Sequence, residues 1–207
     1  MKNGGYDLGY KNCGCFWGHK AGSLIYKIDD FINNYKGLNV LDLGCGEAKN
    51  AIYLSNKGCF VDAIDISKFA IKNANDRLLK NKRIKLKQAD VLKFKLSENH
   101  YDIIIAYGLF HCLKEKSEII YLISKCMNSL KLNGYFIVCA FNSRRQELSI
   151  AHKDFKPLLL QHKEYLSFFD KNKILYESDN DLFETHPHNK IPHTHSMTRL
   201  IINKLNG

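Results

Sequence analysis

Acidic residues and a glycine turn in the first half of the chain are of types that suit one kind of ligand. The run Val40-Leu41-Asp42-Leu43-Gly44-Cys45-Gly46-Glu47-Ala48 is an apolar stretch carrying an acid, then a turn with two glycines. Glycine tolerates positive φ and, lacking Cβ, lets a ligand approach the main chain. A dinucleotide would favour the spacing GxGxxG and place its pyrophosphate on the following helix. Here Lys49 stands at the third glycine position, and Asp42 would repel a phosphate. An acid suits a cation instead. S-adenosylmethionine carries a sulfonium and an ammonium and no phosphate, so Asp42 before Gly44-Cys45-Gly46 reads as its turn. Asp65 follows 23 residues after Asp42 and can accept from both hydroxyls of a ribose. Asp90, between Ala89 and Val91, suits an exocyclic adenine amine.

Other groups able to do chemistry lie outside this core. Tyr10, Phe16 and Trp17 fall in a glycine- and aromatic-rich opening, as lid residues over a site or as packing for the first helix. His111 follows Tyr107-Gly108-Leu109-Phe110 and reads either as a base for the substrate or as a contact to the cofactor alone. His186, His188, His193 and His195 fall within ten residues. Imidazoles so grouped can hold a metal, carry protons beside a substrate, or line a solvated loop. Substrate contact or a structural role is preferred to a metal, and no metal is assigned. His-x-His turns two rings the same way only in an extended segment. Cys13 and Cys15 either add thiolates to that cluster, bind a soft substrate, or are simply buried. Cys45, Cys59, Cys112, Cys126 and Cys139 sit in apolar contexts and read as buried hydrophobes in a reducing compartment.

The elements that must position these groups alternate. Ser23 caps a helix whose apolar face is Leu24, Ile25, Ile28, Phe31 and Ile32, ending at Lys36-Gly37. Strands are expected over 39–43, 59–64, 84–88, 101–106 and 135–141. Helices are expected over 50–57, from Ser67 to about Leu79, and over 117–130. This alternation implies a parallel sheet with helices on both faces, and ligands of such sheets bind beyond the strands' carboxyl ends. Asp42, Asp65 and Asp90 all fall there. After Phe141 the chain reads as irregular to Leu160, then a short helix over 163–169. Two closing strands, 173–177 and 197–203, follow, with 179–195 as the connection between them; they form an antiparallel edge.

Residues 38–142 resemble the class I S-adenosylmethionine-dependent methyltransferases. The first motif of that family is matched by Val40 to Gly46, with Ala48 where many members have a third glycine. Asp65-Ile66-Ser67 matches the second motif, Gln88-Ala89-Asp90 the third, and Tyr107 to His111 the segment beside the cofactor's methionine part. The resemblance implies a Rossmann-like α/β fold with a seven-stranded, mostly parallel sheet whose last strand is antiparallel. It implies S-adenosylmethionine as cofactor, S-adenosylhomocysteine as product, and in-line methyl displacement. A looser resemblance, carried by Tyr10 to Gly18 and the histidine-rich tail, is to small bacterial methyltransferases related to the tellurite-resistance group. On this reading Asp42, Gly44, Cys45, Gly46, Asp65, Ile66, Asp90, Val91 and Tyr107 bind the cofactor. Tyr10, Phe16, Trp17, His186 and His188 face the substrate, and His111, His193 and His195 are the catalytic candidates.

Composition bounds the rest. The 207 residues suffice for one domain, read as an N-terminal arm and helix over 1–36, a cofactor-binding core over 37–142, and substrate-side strands with the histidine-rich loop over 143–207. No apolar run approaches the roughly 20 residues that span a bilayer, and Met1 to Asp7 lacks the apolar core of a signal peptide, so the cytoplasm is expected. A net charge of +10 raises RNA methylation as an alternative. Against it, the excess is scattered lysine, and strand four is followed by neither an Asn-Pro-Pro-Tyr-type tetrapeptide nor Pro-Cys. A small-molecule acceptor is therefore expected, with a non-catalytic metal- or cofactor-binding module as the other alternative. The sequence does not specify the acceptor atom or the oligomeric state.

Overall fold

The computed structural model describes residues 5–78, 81–151, 155–185 and 190–205, with the side chains of 150 and 151 left out. Short helices α1 (Asp7–Asn12) and α2 (Ser23–Lys27) precede an alternating core. It runs β1 (Asn39–Leu43), α3 (Lys49–Asn56), β2 (Phe60–Asp65), α4 (Lys68–Leu78), β3 (Ile84–Gln88), β4 (Tyr101–Tyr107), α5 (Lys116–Ser129) and β5 (Leu130–Gln146). Then come α6 (Leu148–Ala151), α7 (His162–Ser167), β6 (Lys173–Glu184) and β7 (His193–Asn203).

The seven strands form one sheet in the order β3-β2-β1-β4-β5-β7-β6. Antiparallel pairing of β7 with both β5 and β6 leaves the other six strands parallel to one another. This is the expected Rossmann-like arrangement. The strand order reverses direction between β1 and β4, which opens a crevice beyond their carboxyl ends.

Apolar residues on both sheet faces explain the layers. Leu41, Leu43, Ile104, Phe136 and Val138 pack beneath α5 and α7 with Ile119, Leu122, Tyr165 and Phe169. Val40, Val61, Ile103, Ile105 and Ile137 pack on the other side with Leu24, Ile25, Ala51, Leu54 and Ala74. In α5 the buried stripe is Ile119, Leu122, Ile123 and Cys126, whereas Ile120 is turned to solvent.

Three expectations are corrected. The first helix stops at Lys27 and passes into a single 3-10 turn rather than continuing to Lys36, and its N-cap is Gly22, not Ser23. Residues 131–134, between the helix expected over 117–130 and the strand expected over 135–141, are a local irregularity inside β5: pairing jumps from Tyr101–Leu130 to Ile103–Tyr135, with Asn133 at φ 59°. The largest difference lies at the carboxyl edge. β5 extends to Gln146, β6 to Glu184, and β7 begins at His193, so much of 179–195 belongs to a long antiparallel pair. Polar side chains pay for their own burial there: Ser196 Oγ donates to Asn142 Oδ1 at 2.6 Å, and Thr194 N donates to Glu147 Oε2 at 2.7 Å.

Phe136 is fully buried between Phe110 and Phe169, both edge-on. Phe136→Ala is expected to cost about 3–5 kcal/mol, read as a lower urea midpoint with an unchanged slope.

Candidate active site

The turn after β1 is built from residues with left-handed backbone. Gly44, Gly46 and Ala48 have φ of 65°, 53° and 60°. A Cβ on Gly44 would lie 3.0 Å from Leu109 Cδ1, and one on Gly46 would lie 2.9 Å from the Tyr10 hydroxyl. The bare backbone is therefore a requirement of the loop, not an accident of composition. Asp65, at the end of β2, braces it: Oδ2 accepts from Gly46 N at 2.8 Å and Oδ1 from Ser67 N at 2.8 Å. Each oxygen of a carboxylate has capacity for a second bond, so both can still receive a ligand hydroxyl. Ser67 caps α4, its Oγ accepting from Ala70 N at 3.2 Å, as the sequence suggests.

An aromatic arm covers this loop. Glu47 is only 2 % exposed and accepts from Phe16 N at 3.1 Å, Trp17 N at 3.3 Å and Asn73 Nδ2 at 3.2 Å. Asn73 also donates to Tyr10 O and Cys13 O, and Ser67 Oγ bonds the Asp7 carboxylate. The Trp17 indole donates to the Tyr10 hydroxyl at 2.8 Å, and the Lys49 ammonium donates to Trp17 O at 3.2 Å. Burial pushes the Tyr10 phenol well above its ordinary value, so it stays neutral beside these carboxylates. Tyr6, Tyr10 and Phe16 pack with Ala70 of α4; the arm is thus held on α4 and the glycine loop rather than on α2.

The cavity under the arm is walled by Gly44 to Glu47, Asp65, Ile66 and Val91 on one side. On the other stand Tyr107, Gly108, Leu109, His111, Cys112, Phe141, Leu182, Glu184 and Met197, with Tyr6, Tyr10 and Trp17 above and Lys49 and Asn50 at the loop. Among the residues singled out in the sequence, Gly44, Cys45, Gly46, Asp65, Ile66, Val91, Tyr107, His111, Tyr10 and Trp17 line it. Asp42 lies behind the turn, 1 % exposed, with Oδ2 lacking a hydrogen-bond partner among the described residues. Asp90 caps its own turn, accepting from Leu92 N at 2.9 Å, and leaves the wall to Val91. Phe16 packs in the arm and does not reach the wall. His186 and His188 lie outside the described residues.

His193 and His195 are in a strand, not a loop, and both are buried. Their rings are 4.8 Å apart, and His195 stacks on Phe141 at 4.3 Å, which stacks on His111 at 4.1 Å. They form a tier behind Glu184 rather than the cavity wall. The Nδ1 of His111 accepts from Phe141 N at 3.1 Å, which places the proton of the neutral ring on Nε2. Glu184 and Lys49 were missed in the sequence. Glu184 falls in the segment 179–195 that the sequence assigns to a connection, and Lys49 stands out only as the residue at the third glycine position. Among the cysteines, Cys112 is half-buried and lines the cavity rather than the core. Burial, and after it the Asp65 carboxylate, push its thiol up. Cys15 contacts His19 at 3.3 Å, and neither it nor Cys13 joins the histidine cluster among the described residues.

The chain's single tryptophan makes the arm observable. Glu47→Gln exchanges a charged acceptor for a neutral one and should weaken docking by about 1–3 kcal/mol, seen as red-shifted Trp17 emission and easier quenching by acrylamide. A second expectation concerns Asp42. Burial first, and Asp65 second, raise its carboxyl from 3.8 to about 7. The folded chain therefore keeps a proton that the unfolded chain has released, so stability is full below pH 4 and declines as pH rises to about 7. Asp42→Asn should flatten this decline in urea midpoints taken across that window, leaving a residual slope from Asp65, whose carboxyl burial also raises.

Comparison with known proteins agrees with this architecture. Residues 34–182 match the family model described as a methyltransferase domain. An uncharacterised methyltransferase of Schizosaccharomyces pombe is 38 % identical over 76 residues, covering 36 % of this chain and 52 % of its own. TehB from Haemophilus influenzae superposes with a TM-score of 0.71 at 19 % identity, over 89 % of this chain and 62 % of its own. An S-adenosylmethionine-dependent methyltransferase from Methanosarcina mazei gives 0.72 at 15 %, over 91 % of this chain and 100 % of its own. At such identities the two structures show a shared fold, and the chain spans about half the length of the curated relative. No helix among the described residues is long and apolar enough to cross a membrane. A match over most of the chain, on a glycine loop braced by a strand-end carboxylate, makes this protein a member of the S-adenosylmethionine-dependent methyltransferase family.

Proposed function

We propose that the chain transfers a methyl group from S-adenosylmethionine to a small acceptor held between His111 and Glu184. The observation that carries this reading is the arm. Tyr10 and Trp17 are tied by hydrogen bonds across the glycine loop, and the roof they make over the cavity favours a small acceptor over a folded RNA.

The residues present fit the cofactor. The Gly44–Gly46 cradle has no room for side chains, Asp65 offers acceptor capacity at the strand end, and Asp42 is a buried carboxylate with an unbonded oxygen. In use, the Gly44–Gly46 backbone would bind the methionine part, Asp65 the ribose, and Ile66 and Val91 the base. When bound, S-adenosylmethionine supplies a methyl on a positively charged sulfur with a neutral thioether as leaving group. The chain's own task is then alignment, exclusion of water and removal of any acceptor proton.

Trp17 and Tyr10 exclude water by covering the loop. His111 orients the acceptor as a donor through Nε2–H; protonating Nδ1 would break its bond from Phe141 N, which argues against a role as base. Proton removal falls instead to the Glu184–His193–His195 group at the acceptor end. Burial raises the Glu184 carboxyl, with His193, Lys49 and Arg199 opposing that rise, so it is a better proton acceptor than an exposed glutamate.

The test pairs calorimetry with turnover. Asp65→Ala is expected to weaken S-adenosylmethionine by about 1–3 kcal/mol, leaving the ribose hydroxyls unpaired. His111→Gln should leave cofactor affinity within a few-fold and lower turnover once an acceptor is found by screening small oxygen, nitrogen and sulfur nucleophiles with labelled methyl donor. Undiminished cofactor affinity in Asp65→Ala would overturn the placement of the nucleoside.

A further inference from the structure

The cluster behind the acceptor end has a property that proton transfer does not require. One ligand atom each from Glu184, His193 and His195 lies within 4.8 Å of the other two. The pairing of β6 with β7 sets this up: His193 is opposite Glu184, and His195 is opposite Leu182. Two imidazoles and one carboxylate on a rigid strand pair are the donor set of three-ligand transition-metal sites that keep a coordination position open.

The far sides of both rings are arranged as metal-binding histidines require. His193 Nδ1 lies 2.7 Å from Ile191 O, a carbonyl that can only accept, so Nδ1 carries the proton. His195 Nδ1 lies 2.8 Å from Gln146 Oε1. The amide of Gln146 is fixed the right way round, since its nitrogen donates to Asn142 O and Ser196 O, each at 2.8 Å. Both rings are therefore held as the tautomer whose Nε2 bears the lone pair. Placing them in the buried sheet, 1 % and 0 % exposed, removes water as a competitor for those nitrogens.

We propose that Glu184, His193 and His195 bind one divalent transition-metal ion, with zinc and ferrous iron the candidates, and that its open position faces the cavity Glu184 lines. Bonds of about 2.0–2.2 Å put tetrahedral ligand atoms about 3.4 Å apart, so binding draws the three inward by side-chain rotation. The acceptor class that follows is an oxygen or nitrogen nucleophile able to ligate the ion. That part rests on the methyl-transfer reading; the metal site itself does not. The charges of Lys49 and Arg199 also act on Glu184, and their attraction for the carboxylate is what a bound ion competes with.

The experiment uses the full chain, stripped with chelator and titrated with zinc, and with ferrous iron without oxygen. Elemental analysis after desalting should give one ion per chain. His193→Ala and Glu184→Gln should each lower zinc affinity at least 100-fold. Gln146→Leu, which leaves all three ligands in place, should lower it about 10–100-fold. Far-ultraviolet circular dichroism and binding of S-adenosylhomocysteine, measured on the same samples, separate site loss from unfolding. Cobalt substitution should give visible absorption bands, absent from His193→Ala. Retention below one-tenth of an ion per chain, or equal zinc affinity in all variants, would overturn the site. If zinc binds stoichiometrically but S-adenosylhomocysteine does not, the metal site stands and the methyl-transfer reading fails.

Discussion

Three carboxylates under cover at one rim of the sheet are the constraint around which this molecule is built. Asp42, Glu47 and Asp65 are each less than a tenth exposed, and removing charge from water is expensive unless it is paired or bonded. Each meets the cost differently. Asp65 receives two backbone N–H groups from neighbouring turns and so joins the loops after β1 and β2. Glu47 receives two from the arm and one from Asn73, which turns a buried charge into the latch for a cover. Asp42 keeps an oxygen without a hydrogen bond and a carboxyl raised to about 7 by burial and by Asp65. The cover, the loop and the strand ends are thus one electrostatic system. A cationic ligand arriving at this rim meets an environment already short of positive charge, which is why a sulfonium is a better match than a phosphate.

The parallel core was legible because its signals are local and physically independent of the ligand. Runs such as Val40-Leu41 and Ile103-Ile104-Ile105 are buried on both sides, so they read as continuous apolar strands. Glycine turns and the Ser67 cap mark where helices begin. The carboxyl edge was not legible for the opposite reason. His193 to Ser196 is entirely polar yet buried, and polarity in a sequence normally implies exposure. Its partners are Asn142, Gln146 and Glu147, some 50 residues away, and no local pattern announces such pairing. The short α2 was misjudged because apolar residues at helical spacing also occur along a turn that folds over a sheet.

Site residues divide along the same line. The motif that carries Gly44, Gly46 and Asp65 specifies a backbone shape, and spacing is enough to find it. Asp42 and Asp90 sit in the expected places along the chain, but strand alternation turns one beneath the loop, and a local turn occupies the other. Lys49 and Glu184 depend on geometry that only the folded arm and the lengthened β6 create. Nothing in their immediate sequence separates them from any surface lysine or glutamate.

The two sides of the cavity differ in how far a change at one residue spreads to the others. The side of the cavity that carries the glycine loop comes from β1–α3–β2 together with Val91 beyond β3, and there loop shape, carboxylate bracing and arm docking are interdependent. The opposite side gathers His111, Phe141, Glu184 and Met197 from four separate elements, connected by the stack of His111, Phe141 and His195. Substitutions there leave the hydrogen bonds of the glycine loop intact. Because β6 and β7 are joined beyond the sheet rim, a two-residue change in register would slide Glu184 past His193 while keeping each side chain on its own face. The lining of that side can therefore change by sliding or lengthening one strand pair, with the glycine-loop side held fixed by its buried carboxylates.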